Sequence, residues 1–388
     1  MKRSTERILT THCGSLARPK DLLDSMHAKE HGQPYDHEDL TRRVRRAVAE
    51  IVQQQVEHGV DIVCDGEQSK AGFAVYVRER LTGFEARPAQ PEDSPIRRWR
   101  DVQAFPEYYE EYFKQNMRGI APATSMVCVG PVTYKGQAAL RTDIDNLKAA
   151  LTGVTPAEVF MPAIAPRSLG KNDYYPTDEA YIYAIADAMH EEYQAIVDAG
   201  FILQIDDPYL TNLYGQDASR SFAERHQQAE MYIEALNHAL RGIPPEQVRY
   251  HTCYGINEGP RIHDTPLQDI VDLMLKVCAG AYSFEAANPR HAHEWHVWEH
   301  AKLPQGAVLI PGMISHASNI VEHPELIAER LVQYARLVGR DNVIAGSDCG
   351  FSSQATFTPE VHPTVVWAKF QAMAEGARLA TQQLWGRK

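Results

Sequence analysis

Short β-rich apolar runs alternate along the chain with stretches whose apolar residues recur every three to four positions. That is the pattern of parallel strands joined by crossover helices. It predicts strands over Ile8–Ser15, Val60–Glu67, Ser125–Thr133, Val159–Ala165, Phe201–Asp206, Val248–Tyr254, Ala281–Ala286, Val308–Ile314 and Asn342–Asp348. Helices are predicted through DLTRRVRRAVAEIVQQQVEHG, DEAYIYAIADAMHEEYQAIVDAG, SFAERHQQAEMYIEALNHAL, PLQDIVDLMLKVCAG and HPELIAERLVQYARLVG. Gly59, Gly200, Gly280 and Gly339 end four of these helices, where a left-handed residue commonly stops the helix. Nine strand candidates compete for the eight places of a (β/α)8 barrel. Ser125–Thr133 is set aside, because the polar stretch from Pro88 to Phe113 before it and TYKGQ after it read as an inserted excursion or hairpin. The expectation is an α/β chain forming a single TIM (β/α)8 barrel over residues 1–388, with an inserted surface segment around 86–135. Within that segment, ARPAQPEDSPIRRWRD reads as a long surface loop or lid.

Composition narrows the function classes. With 388 residues, 44% hydrophobic and 23% charged, the chain has ample material for a core. A formal charge of −12 argues against nucleic acid as a partner, since phosphate binding needs a basic stripe. No apolar run approaches the roughly 20 residues of a membrane span. The start, MKRSTERILTTHCGSL, lacks the apolar stretch of a secretory signal. A cytoplasmic location is expected, with no membrane partner. The six cysteines are then reduced and available as metal ligands. Oligomeric state is not legible.

Polar residues collect at the C-terminal ends of the predicted strands, in THCGS, CDGEQ, QIDDP, HTCYG, FEAANP, MISH and GSDCG. In a parallel barrel these ends share one rim, where barrel active sites lie. His251 and Cys253 stand two apart, which on a strand puts both side chains on one face. Alone, such a pair is as easily two core residues. Glu285 and Cys349 end two further strands, and the four together make a soft and borderline donor set suited to Zn²⁺. Cys64, Cys128 and Cys278 lie in apolar runs and read as core. The cluster NPRHAHEWHVWEH is not the HExxH of zinc proteases, because Val297 stands where the second histidine would be. His296 and His300, four apart, fit an exposed polar face equally well.

These motifs, in this order from THCGSLARP through CDGEQ, QIDDP, HTC, FEA, PGMISHASN and SDCG, resemble the catalytic barrel of cobalamin-independent methionine synthase and its relatives. The resemblance runs from Thr10 to about Gly350 and implies the catalytic half standing alone. That single-barrel form is shared by short methionine synthase relatives and by the similar epoxyalkane:coenzyme M transferases. The resemblance implies zinc ligands at His251, Cys253, Glu285 and Cys349, and amino-acid contacts at the backbone of Cys13, Gly14 and Ser15 and at Glu67 and Asp206. It places a proton-donating histidine at His316, although the spacing from the preceding Pro-Gly differs by about one residue. The family's folate contacts are not matched. The first region reads MVCVGPVTY, the stretch around MPAIAPRSLG has no tryptophan, and Asn212 stands six residues after Asp206.

The chemistry so implied is alkyl transfer to a small thiol. A free thiol with a pKa of about 8.5 is mostly protonated at neutral pH, and zinc coordination removes that proton. His316 would protonate the departing group. Methyl transfer to homocysteine or a similar thiol is the first expectation, since Glu67 and Asp206 suit an acceptor with an amino group. An epoxide or other alkyl donor transferred to a thiol such as coenzyme M is the second, with Arg18, Arg167 or Arg290 serving an anionic acceptor. A zinc lyase or hydrolase is a third, disfavoured because two thiolates blunt the Lewis acidity that water activation needs. A non-enzymatic scaffold is the least favoured.

Overall fold

Eleven strands form in chain order: β1 Leu9–Thr10, β2 Ile62–Val63, β3 Phe84–Pro88, β4 Thr124–Cys128, β5 Glu158–Ile164, β6 Lys171–Asn172, β7 Ile202–Asp206, β8 Val248–Thr252, β9 Ala281–Phe284, β10 Val308–Ile314 and β11 Ile344–Ser347. This computed structural model describes all residues except 89–96, 98, 116–118, 123, 168, 217–219, 256–257 and 387–388. Eight strands make one all-parallel sheet in the order β1-β11-β10-β9-β8-β7-β5-β2. Its two ends meet through single bonds and not a ladder. The Asp61 N–H donates to Thr10 O at 3.1 Å, and the Thr11 hydroxyl donates to Ile62 O at 3.0 Å. The result is a nearly closed TIM barrel with helices outside it.

Six of the eight barrel strands fall within two residues of their predicted bounds, and β10 coincides with its prediction. β1 and β2 are each cut to two residues. Their polar C-terminal halves leave the ladder as loops, turning at Gly14 (φ 135°), Gly66 (φ 63°) and Glu67 (φ 56°). β4, the strand set aside from the barrel, pairs antiparallel with β3 and lies in a separate three-stranded sheet with β6. The connection between β3 and β4 carries the helices Arg100–Ala104 and Pro106–Gln115. Most of the segment read as a lid, residues 89–96 and 98, lies outside the described residues.

The helices at His37–Glu57, Asp178–Asp198, Phe222–Ala239 and Pro324–Val338 follow their predicted periodicity. The predicted helix 266–280 does not form as one piece. It breaks into a 3₁₀ turn at Leu267–Asp269 and a short helix at Val271–Met274. Gly280 therefore ends no helix. A Cβ there would lie 2.7 Å from Pro245 O, so close backbone approach, not handedness, demands glycine. The helices Lys20–Glu30, Gln137–Ala150 and Pro363–Trp385 complete the outer layer. No described helix is long and apolar enough to cross a membrane.

The helix Asp178–Asp198 turns Tyr181, Ile182, Ile185, Met189 and Ile196 inward, and among them one charge, Glu192. Glu192 accepts from Tyr76 Oη at 2.9 Å, Tyr134 Oη at 2.7 Å and Arg80 Nη1 at 3.1 Å, and Arg80 also pairs with buried Asp143. This network joins the loop after β2 and the strand region after β4 to the barrel's outer helix. Removing one partner of a buried charged network typically costs about 3–5 kcal/mol. Glu192→Ala should therefore lower the urea midpoint strongly. Glu191→Ala, on the exposed side of the same turn, should move stability by no more than about 0.5 kcal/mol. Equal midpoints for the two variants would remove this structural role from Glu192.

Candidate functional site

The sequence-predicted rim residues come together inside the barrel mouth. His251 lies on β8, and its Nδ1 meets Ser283 Oγ of β9 at 3.0 Å. That contact fixes the ring, and the buried Nε2 has no hydrogen-bond partner among the described residues. The ligand atoms of Cys13, His251 and Cys349 lie within 4.8 Å of one another. Cys253 Sγ is 3.1 Å from Cys349 Sγ, and all the cysteines are free. Hydrogen bonds from Cys13 and Cys253 hold the Cys349 thiol well below its ordinary range. Three sulfurs beside an unpartnered imidazole nitrogen form the soft donor chemistry that fits zinc and fits neither Mg²⁺ nor Ca²⁺.

Glu285 takes a different position. Its Oε1 accepts from the Tyr254 N–H at 2.8 Å, and its Oε2 accepts from Arg261 Nη2 at 2.7 Å and Asn288 Nδ2 at 2.9 Å. Its carboxylate groups with His316 and Asp348, and not with the Cys13–His251–Cys349 set. Arg261 neutralises it, so in this arrangement Glu285 is not part of the sulfur-rich donor group. Arg261 itself has φ 56°, and with Glu67 it is one of two non-glycine residues at positive φ among the described residues, both at this rim.

A second group lies beside the sulfurs. Glu67 and Asp206 are both buried, and Glu67 Oε2 has no hydrogen-bond partner among the described residues. Burial pushes Asp206 up to about 7, and the Glu67 charge acts in the same direction. Burial raises Glu67 as well. Two neighbouring buried carboxylates of raised pKa are the arrangement that a bound cation would relieve. Gln204, two residues before Asp206 on the same face of β7, donates to Asp206 Oδ1 at 2.7 Å and to Cys13 O. A Cβ on Gly14 would come within 3.7 Å of Glu67 Oε1, so glycine keeps this space open. Ser15 turns its hydroxyl aside, to Ser353 Oγ at 3.3 Å.

His316 follows β10. Gly312 and Ile314 of β10 face Gly346 and Ser347 of β11, a bulge of one residue in the register. His316 Nε2 meets Gly255 O at 3.0 Å, while its buried Nδ1 has no partner among the described residues. Burial opposes its protonation, but the charges of Cys349 and Glu285 outweigh that and raise its pKa. The ring borders a small cleft of about 50 Å³ lined also by Phe351, Gln354, Thr358 and Glu360. Tyr112, from the helix Pro106–Gln115, donates to Glu360 at this edge.

The remaining candidates fall elsewhere. Cys64 and Cys128 are buried as expected, but Cys278 is exposed, because the chain after the short helix Val271–Met274 turns it outward. His291 is a buried structural cation between Glu294 at 2.7 Å and Asp264 at 3.1 Å, whereas His296 and His300 are exposed. Burial lowers the His291 pKa, but its two carboxylate partners raise it to about 9. Arg18 is buried, its guanidinium donating to the carbonyls of Leu16, Ser352, Glu67 and Lys70. Arg167 stacks over Tyr209 at 4.1 Å, and Arg290 reaches Ile262 O at 3.4 Å. Asn212 lies on the helix Tyr209–Gln216, and Ser168, in the stretch without tryptophan, lies outside the described residues. The sequence reading used Cys13 for its backbone alone and missed its thiol, along with Gln204 and Arg261. The alternation of Gln204 with Asp206 was the available signal for the glutamine.

No family model matches the chain. It is 25% identical over 272 residues to a methionine synthase of Sulfolobus acidocaldarius, covering 69% of this chain and 68% of the relative. It is 28% identical over 248 residues to a methionine synthase of Saccharolobus solfataricus, covering 63% of this chain and 62% of that relative's length. Among solved structures, a B12-independent methionine synthase from Shewanella sp. W3-18-1 in complex with selenomethionine superposes with a TM-score of 0.72 at 20% identity. The superposition covers 98% of this chain and 99% of that one. By sequence the chain is similar to methionine synthases, and its fold is similar to that of the B12-independent methionine synthase.

Proposed function

We propose that this chain is a zinc-dependent thiol methyltransferase, acting as one catalytic barrel that methylates homocysteine or a similar amino-acid thiol. The observation that carries this reading is the sulfur and imidazole donor group set beside two buried carboxylates, Glu67 and Asp206. A metal at the first group and an ammonium at the second would hold an aminothiol at its two ends. Bound zinc supplies an acceptor sulfur that is deprotonated at neutral pH. His251, Cys253 and Cys349 are the residues that would hold it. Glu67 and Asp206 bind the ammonium group, Gln204 orients Asp206, and Gly14 leaves room for the substrate's carbon frame. His316, whose pKa the charges of Cys349 and Glu285 raise against the effect of burial, is placed to deliver a proton to the atom that the methyl group leaves. The cleft at His316 receives the donor. An anionic acceptor such as coenzyme M is less well served, since Arg18 already spends its guanidinium on backbone carbonyls.

Two outcomes are expected. The purified protein should hold about one zinc per chain, and Cys253→Ser and Cys349→Ser should each lose nearly all of it by elemental analysis. Full retention in both variants would take the metal away from these residues. Methyltetrahydrofolate should serve poorly as donor, because unpaired groups on a buried heterocycle cost on the order of 1–3 kcal/mol each, and tenfold is only about 1.4 kcal/mol. Turnover of homocysteine with the monoglutamate or polyglutamate cofactor at about 1 s⁻¹ or faster would overturn that expectation.

A further inference from the structure

The zinc reading above uses two cysteines and a histidine, yet a third thiol stands in the same group. Cys13 is buried at 6% exposure, and its sulfur lies within 4.8 Å of the ligand atoms of both His251 and Cys349. Its place is fixed from two strands: its N–H donates to Ser347 Oγ of β11 at 3.0 Å, and its carbonyl accepts from Gln204 of β7. The carboxylate expected to complete the donor set, Glu285, is instead held by Arg261, Asn288 and the Tyr254 N–H. The buried Nε2 of His251, on a residue only 1% exposed, accepts no hydrogen bond from the described residues and is open to a metal. A tetrahedral zinc site takes four ligands, and Cys₃His is one of its standard sets.

We propose that Cys13 is the fourth zinc ligand when no acceptor is bound, and that the acceptor sulfur competes with Cys13 for that place. The proposal rests on the zinc reading and adds a competitor built into the chain. It makes the vacant enzyme a closed Cys₃His site, protected against loss of metal and against adventitious thiols. It also means that the ammonium contacts at Glu67 and Asp206 supply the advantage a true acceptor has over Cys13. A thiol of equal sulfur chemistry without an amino group would compete poorly.

Cobalt substituted into the intact protein tests this, since each thiolate ligand adds to the near-ultraviolet charge-transfer band. Wild type without acceptor should show a three-thiolate band, and Cys13→Ala should still bind about one cobalt per chain with roughly one third of that intensity lost. Homocysteine should leave the wild-type band unchanged and restore the missing third in the variant. X-ray absorption of zinc-loaded wild type gives the same count without any substitution, three sulfurs and one nitrogen. Equal band intensities in wild type and Cys13→Ala, or two sulfurs in wild-type zinc, would overturn the proposal while leaving the zinc reading intact. Failure of both proteins to bind either metal would overturn the two together.

Discussion

Arg249 crosses the interior of the barrel from β8 to the chain just beyond β1. Its Nη1 donates to Thr11 Oγ1 at 3.0 Å, its Nη2 donates to His12 O at 2.8 Å, and its guanidinium lies 4.0 Å from the centre of the Phe160 ring. Burial pulls its pKa down only to about 10, so it stays charged at neutral pH. The sheet needs such a strut because β1 and β2 are two residues long and meet through isolated bonds. Short pairing there frees Thr11 to Ser15 and Cys64 to Glu67 to become the loops that hold the site. The charge inside the barrel replaces, with fixed hydrogen bonds, the order that a longer ladder would have supplied.

The same substitution recurs around the rim. Asp348 accepts from the N–H groups of Ala286 and Ala287 at 2.7 Å and of Asn288 at 3.0 Å, holding the loop after Glu285. Lys70 donates to Pro162 O at 2.7 Å and stands over the Tyr76 ring at 4.3 Å. Buried ions are expensive to desolvate, and their retention here goes with loops whose backbone must be held open and not folded into sheet. The two non-glycine residues at positive φ among the described residues, Glu67 and Arg261, belong to these rim loops.

Much of this was legible in the sequence because the barrel repeats a simple rule. A strand that ends in polar residues points them at one mouth, so HTC, QIDDP and SDCG located the site without any knowledge of its partners. Three kinds of fact escaped. Strand length at β1 and β2 depends on pairing across the sheet, which local pattern does not report. The role of Gly280 depends on the backbone of Pro245, thirty-five residues away in the chain. The position of Glu285 depends on Arg261, a residue in a loop whose contact has no period to betray it. Cys13 was hidden differently. It sat inside a motif whose backbone already had a use, and its side chain drew no separate notice.

The segment between β3 and β4 meets the chain around the barrel mouth through Tyr112 on Glu360, Asp101 on His263 at 2.5 Å and the Ile120 N–H on Ala355 O at 2.8 Å. None of these contacts falls on the sulfur group, which is assembled from the loop after β1, from β8 and from the end of β11. The cleft beside His316 and the metal-capable centre share the chain after β11, since Cys349 belongs to the sulfur group while Gly350, Phe351 and Ser352 line the cleft. A change of length between β3 and β4 would act on one side of the mouth and leave in place the segments that carry the thiols.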